Sequence, residues 1–282
     1  MKVLTYRLGD RKTYGVAVDG GVVDGGRRLG GRYPDLCAVI KAGALDELRE
    51  ATKGQPADAR LDDIAYLPVL ENPDKILMIG LNYKAHREEA GRDPADHPSI
   101  FTRFADSQVG HDQPMIRPRA SDRFDYEGEL AVVIGKGGRH IAQADALSHV
   151  AGYSCYNDGS VRDFQRHTSQ WTPGKNFVGT GAFGPWMVTA DEIPDPQALE
   201  LTTRLNGQVM QNSTLDLMIF PVVELIEYCS TFCNLTPGDV IVSGTPGGVG
   251  YARKPPVFMK PGDTVEVDIT KIGILRNAIA DE

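Results

Sequence analysis

The chain has 282 residues, of which 41% are hydrophobic and 24% are charged, a balance typical of a globular protein with a full core. Its net charge is −8, with 30 basic against 38 acidic residues, which argues against the basic stripe of a nucleic-acid-binding surface. No run approaches 18 apolar residues, so the sequence predicts no membrane span.

The four cysteines predict a reducing compartment. None forms a CxxC pair, and the i, i+4 spacing of Cys229 and Cys233 favours helix packing over zinc binding. The first 21 residues contain no apolar core of signal-peptide length. Together these features lead us to expect a cytoplasmic protein.

The N-terminal part predicts a small antiparallel unit followed by a helix. Residues 2–8 and 13–18 read as short strands, and the DGG turn at 19–21 has hairpin chemistry. Residues 35–52 carry apolar positions at helical spacing. This part therefore predicts an α+β arrangement.

A polar linker, residues 53–63, places a domain boundary near residue 70. The prediction is a small N-terminal domain, residues 1–70, and a larger domain, residues 71–282. In the larger part, glycines and prolines fall between short strands, and the regular spacing of a βαβ fold is absent. The sequence therefore predicts a strand-rich α+β protein with functional loops.

His86 and Glu89 form the first candidate for chemistry, in the helical-turn segment NYKAHREEA that follows a predicted strand at 75–83. Their spacing places both side chains on one face of the turn. A carboxylate beside an imidazole orients the ring and increases its strength as a base. The alternative is a surface histidine on a polar turn, and Glu88 is a weaker candidate for the same partner role.

Residues 125–136, DYEGELAVVIGK, place two glutamates at the head of a buried strand. Because successive strand residues point to opposite faces, Glu127 and Glu129 share one face and Gly128 lies on the other. Two buried carboxylates this close must share a proton or face a cation. Oxygen ligands favour Mg²⁺, Mn²⁺ or Ca²⁺, whereas the alternative interpretation is a solvated strand edge.

Two later segments bear on a metal site. Asp158 follows the strand-like residues 152–157 and is a candidate third ligand, whereas Asp163 is equally typical of a cap or an arginine partner. Residues 244–250, GTPGGVG, lack the Lys-Ser/Thr of a phosphate loop, so phosphate binding is not expected. Residues 214–235 predict the longest helix, with Pro221 near its first turn. The remaining histidines show no metal spacing and are expected to be structural or surface residues: His97, His111, His140, His149 and His167.

Several motifs, in order over residues 71–275, resemble the fumarylacetoacetate hydrolase family. They are GLNYKAHREEA, DYEGELAVVIGK, GYSCYNDGSVRDFQ, GKNFVGTGAFGPW, RLNGQVMQNSTLDLMIF and SGTPGGVG. The resemblance implies a mixed β-roll catalytic domain behind a variable small N-terminal domain, assembled as a homodimer. It also implies that Glu127, Glu129 and Asp158 bind a divalent cation, which would be Mg²⁺ or, alternatively, Mn²⁺ or Ca²⁺.

The same resemblance implies roles for further side chains. His86 and Glu89 would activate water on a mobile lid, and the ammonium of Lys175 would stabilise an enolate or protonate the departing carbanion. The side chains implied in substrate binding are Arg162, Gln165, Thr245 and Tyr83. Arg103 stands where relatives often have a basic residue. The residues before Ser160 depart from the family pattern, which leaves the local pocket shape open.

These features lead to the hypothesis of a divalent-metal-dependent hydrolase that cleaves a C–C bond in a 1,3-diketo acid. The substrate would be an acylpyruvate, fumaryl- or maleylpyruvate, or a diketo-deoxy sugar acid. One alternative is a 2-keto acid decarboxylase, isomerase or hydratase of the same family, for example an oxaloacetate decarboxylase. Another is a non-catalytic protein that binds a metal or a keto acid. The His–Glu pair favours hydrolysis because a hydrolase needs a base that activates water.

Overall fold

The computed structural model describes residues 1–282, and residues 1–66 form an antiparallel sheet edge carrying three helices. The predicted hairpin strands at 2–8 and 13–18 are confirmed. The elements are strands β1 (Lys2–Leu8), β2 (Arg11–Val18), β3 (Gly21–Asp24), β4 (Ala59–Arg60) and β5 (Ala65–Tyr66), and helices α1 (Gly25–Arg28), α2 (Leu36–Lys41) and α3 (Leu45–Thr52).

The rest of the chain contributes most of the strands and five further helices. Up to residue 134 the elements are β6 (Ile76–Gly80), α4 (Lys84–Glu89), β7 (Ser99–Thr102), β8 (Gln108–Val109), β9 (Met115–Arg117), β10 (Phe124–Asp125) and β11 (Gly128–Ile134). Next come α5 (Gln143–Ala146), β12 (Val150–Asp158), β13 (Ser160–Val161), α6 (Arg162–Gln165), α7 (Thr172–Lys175) and β14 (Gly181–Thr189). The chain ends with β15 (Glu200–Leu205), β16 (Gln208–Thr214), α8 (Val222–Phe232), β17 (Val240–Val242), β18 (Thr264–Ile269) and β19 (Gly273–Asp281).

Two mixed sheets contain most of these strands, and β10 and β13 form a separate antiparallel pair. The larger follows the order β4-β3-β2-β1-β14-β12-β11-β17-β6-β7, in which β17 pairs with β6 in parallel and the other neighbours are antiparallel. The smaller has the order β16-β15-β18-β19-β9, with a parallel β19–β9 pair. The predicted strand-rich mixed α+β fold is confirmed.

Strand β11 lies at the centre of the core, and every one of its residues is buried. Leu130, Val132 and Ile134 face the cluster shared with the smaller sheet. Ala131 and Val133 face the opposite cluster, which includes apolar residues of α2 and α3. Because both faces are covered, the strand reads as a continuous apolar run instead of an alternating one.

The predicted helix over 35–52 is two helices, because the chain turns at Gly43. Gly43 has a φ of +66°, a left-handed conformation that glycine adopts at low cost. The amide of Gly43 donates to the carbonyl of Ile40, and the amide of Ala44 donates to that of Val39. This pair of bonds is the Schellman ending of a helix, so α2 stops and α3 starts afresh.

The predicted helix over 214–235 is shorter than its apolar periodicity suggests. Helix α8 begins at Val222, with Pro221 as its N-cap residue, because the residue before a proline is disfavoured in the helical region. The extended segment ahead of it is held by Asn82, whose side-chain amide donates to the carbonyl of Phe220 and accepts from its amide. None of the helices is long and apolar enough to cross a bilayer.

The predicted boundary near residue 70 divides one continuous sheet. Strand β1 pairs with β14, with Lys2 opposite Val188 and Val3 opposite Met187. The N-terminal unit therefore extends the central sheet of the larger part. The division into residues 1–70 and 71–282 stays a prediction about separate folding units.

Candidate active site

Three buried carboxylates meet where β11 begins and β12 ends. The two strands pair antiparallel with Gly128 opposite Asn157, which brings Glu127 and Glu129 beside Asp158. The amide of Asp158 donates to the carbonyl of Glu127 over 2.8 Å. One carboxylate oxygen from each of the three residues lies within 4.8 Å of the others. The structure thus brings together the three predicted ligands, called the carboxylate triad below.

Gly128 separates the two glutamates because its other face has no room for a side chain. A Cβ at this position would lie 2.1 Å from Oγ1 of Thr203 in β15. The backbone amide of Gly128 also donates to Oε1 of Gln211 over 3.0 Å, which anchors the strand at this point. The Glu-Gly-Glu spacing therefore places both carboxylates on one face while the strand packs closely against the smaller sheet.

Gly128→Ala is expected to lower both the stability of the fold and the affinity of the triad for Mn²⁺. The added methyl group meets Thr203, and overpacking of this kind costs about 1–3 kcal/mol. Thermal unfolding and calorimetric Mn²⁺ titration measure the two effects. The double variant Gly128→Ala/Thr203→Ala removes the clash and should recover most of both losses; if it recovers neither, the close packing does not explain the glycine.

Lys175 and Arg103 pair with two members of the triad. Nζ of Lys175 lies 2.5 Å from Oε2 of Glu127 and 2.6 Å from Oδ2 of Asp158. Nε of Arg103 donates to Oδ1 of Asp158 over 2.5 Å, and the remaining nitrogens of Arg103 bind Ser107, Thr180 and the carbonyl of Gly159. Arg103 thus orients Asp158, and each of its three nitrogens has a partner in the chain.

Glu129 is the member of the triad with no basic partner. The only hydrogen bond of its carboxylate in the chain is from the amide of Gly244 to Oε2, at 2.7 Å. Burial, together with the charges of Asp158 and Glu127, raises the pKa of Glu129 well above its usual range. By contrast, although burial alone would raise it, Lys175 and Arg162 lower the pKa of Glu127.

The triad fits a hard divalent cation. It offers three carboxylate oxygens, buried and close together, and Glu129 has no basic side chain in salt-bridge contact. Oxygen-only donor sets of this kind suit Mg²⁺, Mn²⁺ or Ca²⁺. Asp163 does not join them, because its Oδ1 accepts from Ser121 and from the amide of Phe164, as in the structural alternative.

Arg162 is held beside the triad by an acid that the sequence reasoning missed. Nε of Arg162 donates to Oδ2 of Asp125 over 2.8 Å, while its Nη1 reaches Glu127 at 2.6 Å and Gln165 at 2.9 Å. Asp125 lies two residues before Glu127, so strand alternation alone could have placed it on the same side. Nη2 of Arg162 is buried and has no partner in the chain.

His86 and Glu89 form a hydrogen-bonded pair on α4, called the dyad below. Nδ1 of His86 lies 2.7 Å from Oε1 of Glu89, and Oε2 of Glu89 accepts from the amide of Gly248 over 2.9 Å. Nε2 of His86 has no partner in the chain, and the ring lines the cavity beside the triad. Glu88 points elsewhere, with 66% of its side chain exposed and Lys84 at 3.9 Å.

The glycine-rich segment 244–250 binds the protein's own carboxylates through its amides. Gly244 donates to Glu129, Gly248 to Glu89, and Gly250 to Asp125. A Cβ on Gly248 would lie 2.2 Å from the carbonyl of Met210, so only glycine allows this approach. The segment therefore fixes the triad, the dyad and Arg162 relative to one another.

His86 of the dyad and Glu127 and Glu129 of the triad line a cavity of about 390 Å³. Lys175, Arg162, Gln165 and Thr245 also line it, as do Ile79, Phe101 and Trp171, which form an apolar wall. The hydroxyl of Thr245 is already engaged, since it donates to the carbonyl of Gly128 and accepts from Gln211. The sequence reasoning missed Trp171, Tyr251, Arg92 and Arg166, which also line the cavity.

Tyr83 and the other histidines lie apart from this cavity. Tyr83 is 2% exposed, its hydroxyl has no hydrogen-bond partner, and it is absent from the lining. The predicted substrate contact of Tyr83 is therefore not supported by this geometry, because the ring packs in the core ahead of α4. None of the five remaining histidines lines the cavity.

Comparisons with known proteins agree with this geometry. The family model described as fumarylacetoacetate (FAA) hydrolase C-terminal matches residues 75–280. The chain is 41% identical over 237 residues to oxaloacetate tautomerase FAHD2A, mitochondrial, from Bos taurus, covering 83% of this chain and 76% of the relative. Among solved structures, it resembles fumarylacetoacetate hydrolase from Exiguobacterium antarcticum, with 34% identity, a TM-score of 0.85 and full coverage of both chains. It also resembles maleylpyruvate hydrolase from Sphingobium sp. SYK-6 in complex with manganese(II) and pyruvate, with 25% identity, a TM-score of 0.83, and coverage of 100% and 99%.

Proposed function

The chain belongs to the fumarylacetoacetate hydrolase family, and from that premise we propose that it is a divalent-metal-dependent enzyme that interconverts the enol and keto forms of a small 2-oxo acid. Oxaloacetate is the first substrate to test, because a relative at 41% identity is named an oxaloacetate tautomerase. The predicted C–C hydrolysis becomes the second candidate.

The observation that carries this proposal is that the His86 ring lines the same cavity as Glu127 and Glu129 of the triad. Tautomerisation moves a proton between C3 and the C2 oxygen, so it needs a base beside the group that holds the oxygens. Nε2 of His86 is free for that proton, while Glu89 binds Nδ1 and balances the charge of the protonated ring. A protein that only bound a metal or a keto acid would have no use for the dyad.

Lys175 and Arg162 retain donors for the substrate. The ammonium group of Lys175 has three N–H donors. Two of them bind the carboxylates of Glu127 and Asp158, which leaves one for a ligand. Nη2 of Arg162 is buried without a partner, and its two N–H groups suit a carboxylate. We assign the carboxylate beside the 2-oxo group to Arg162 and the C2 oxygen to Lys175.

The proposed reaction starts from the keto form of the substrate. A cation held by Glu127, Glu129 and Asp158 would supply Lewis acidity toward the substrate oxygens. Nε2 of His86 takes the proton from C3, the C–H electron pair forms the C2–C3 double bond, and the carbonyl π pair moves onto the C2 oxygen. Lys175 stabilises the charge on that oxygen, which then accepts a proton from water while His86 returns its own proton to water.

Hydrolysis of an acylpyruvate is favoured as the second candidate by the same dyad. His86 would then take a proton from water instead of from carbon, and the hydroxide would add to the acyl carbonyl. The structural neighbour bound to manganese and pyruvate is a hydrolase, which supports keeping this reaction under test.

The proposal predicts that the purified protein accelerates ketonisation of enol-oxaloacetate. The loss of the ultraviolet absorbance of the enol measures the rate. Activity should disappear after chelation and return with Mg²⁺ or Mn²⁺, because the triad needs a cation. Acetopyruvate, assayed the same way with product analysis for pyruvate and acetate, tests hydrolysis. Hydrolysis without tautomerisation would reverse the order of the two candidates, and turnover of neither would favour a binding protein.

We also propose a homodimer and a cytoplasmic location, as the sequence reasoning predicts. The name of the bovine relative places that protein in mitochondria, so the location needs its own experiment. Light scattering of the purified chain and microscopy of a tagged chain in its host measure the two properties.

A further inference from the structure

Two arginines that line the cavity have no acidic partner. Arg92 follows α4 and Arg166 directly follows α6, and both are exposed. Neither side chain makes an ion pair or a hydrogen bond within the chain, whereas Arg162 and Lys175, deeper in the cavity, are paired with carboxylates. Arg92 and Arg166 are called the rim arginines below.

The rim arginines give the cavity uncompensated positive charge in an acidic protein. The chain as a whole has a net charge of −8. The only carboxylates among the lining residues are Glu127 and Glu129, and both belong to the triad. Because local charge in a cleft attracts ligands of opposite sign, this rim favours an anionic group in addition to the one that the proposed function places at the triad.

Arg166 has a defined position because it stacks on Tyr251. Its guanidinium lies 4.4 Å from the centroid of the Tyr251 ring, and that of Arg162 lies 4.5 Å from the same centroid. The amide of Tyr251 is anchored to Oδ2 of Asp125. The Tyr251 ring therefore contacts both the inner guanidinium of Arg162 and the outer one of Arg166. Because the two cations repel each other, an anionic ligand that contacts both would be stabilised here.

We propose that Arg166, assisted by Arg92, binds the distal carboxylate of a dicarboxylic 2-oxo acid, and that the enzyme thereby selects dianionic over monoanionic substrates. The inference rests on the proposed function, since it takes the 2-oxo end of the substrate to lie at the triad. Arg162 would bind the carboxylate beside the 2-oxo group, and the guanidinium of Arg166 would bind the distal carboxylate.

The test compares oxaloacetate with its 4-ethyl ester, which keeps the 2-oxo acid and masks the distal charge. Arg166→Gln should lower kcat/KM for oxaloacetate about 10- to 100-fold, the effect of one charged hydrogen-bonded contact, mainly through KM. Selectivity for oxaloacetate over the ester should fall by a similar factor. Arg92→Gln should also lower this selectivity, but by a smaller factor than Arg166→Gln. Arg7→Gln, an exposed arginine outside the cavity, is the matched control and should keep the wild-type selectivity.

Equal losses on both substrates, or unchanged selectivity, would overturn the subsite. A binding arm separates this failure from that of the proposed function: calorimetry on the Mn²⁺-loaded protein with L-malate and L-lactate, which differ in the distal carboxylate and do not enolise. If the wild type binds malate more tightly, Arg166→Gln abolishes the difference, and no 2-oxo acid is turned over, the subsite stands and the tautomerase proposal fails. If oxaloacetate is turned over but the wild type binds malate no more tightly than lactate, the tautomerase proposal stands and the subsite fails.

Discussion

Lys175→Met is expected to lower turnover about 100- to 1000-fold while it raises the affinity of the triad for a divalent cation. Loss of a charged donor aimed at developing negative charge accounts for the first effect. The second follows because the ammonium lies 2.5 Å from Glu127 and 2.6 Å from Asp158, where it repels a second cation. A unit charge at this range contributes several kcal/mol, so we expect the affinity for Mn²⁺ to rise at least about tenfold.

Stability measurements separate this account from a purely structural role of Lys175. Without metal, the variant leaves three buried carboxylates short of one cation, which costs about 3–5 kcal/mol. Bound Mn²⁺ restores that charge, so the metal-dependent rise in Tm should be larger in Lys175→Met than in the wild type. Lys175→Arg keeps the charge and should keep the wild-type metal affinity. A weaker Mn²⁺ affinity in the methionine variant would mean that Lys175 serves to hold the triad together.

His86→Gln is expected to lower kcat about 100- to 10,000-fold with little change in Mn²⁺ affinity, because the imidazole is the base and not a ligand. Glu89→Gln should lower kcat less, since a glutamine still accepts from the amide of Gly248 but carries no charge to balance the protonated ring. Steady-state kinetics and calorimetric titration with Mn²⁺ measure the two properties on the same preparations.

Glu88→Gln is the matched control for the dyad, because Glu88 lies next to Glu89 in the chain but faces solvent. It should retain wild-type kinetics. Retention of full activity by His86→Gln would remove the dyad from the mechanism and leave tautomerisation to the metal and water. Proton exchange at C3, followed in deuterated water by NMR, reports on the proposed carbon acid step directly and should be lost in the same variant.

The family resemblance and the site geometry bear on different parts of the mechanism. The family resemblance implied roles for Lys175 and Arg162, which do not stand out by composition, and it supported Asp158, which its place after a strand had already made a candidate ligand. Their geometry adds that Lys175 contacts Glu127 and Asp158 and that each nitrogen of Arg103 has a partner in the chain. It also leaves Glu129 as the acid without a basic partner, which is the strongest local reason to expect a cation.

Local periodicity could predict what depends on neighbours in the chain. The two-residue repeat of a strand puts Glu127 and Glu129 on one face, and the three-residue spacing on α4 joins His86 to Glu89. Proline and glycine signals are also local. At Gly43 and Pro221, however, the apolar periodicity continues past the point where a helix ends or begins, so the predicted helices were too long. The strand-rich character of the fold followed from the same short-range signals.

The sequence by itself determined the strand that carries the two glutamates, the helix that carries the dyad, and, through its ordered motifs, the family. Only the tertiary structure decided why Gly128 is glycine, since the atom it must avoid belongs to Thr203 on another sheet. It also decided that Tyr83 is buried, and that Tyr251 joins Arg162 to Arg166. These contacts depend on strand register and on the routes of loops, and residues that meet across such distances in the chain leave no periodic signal in it.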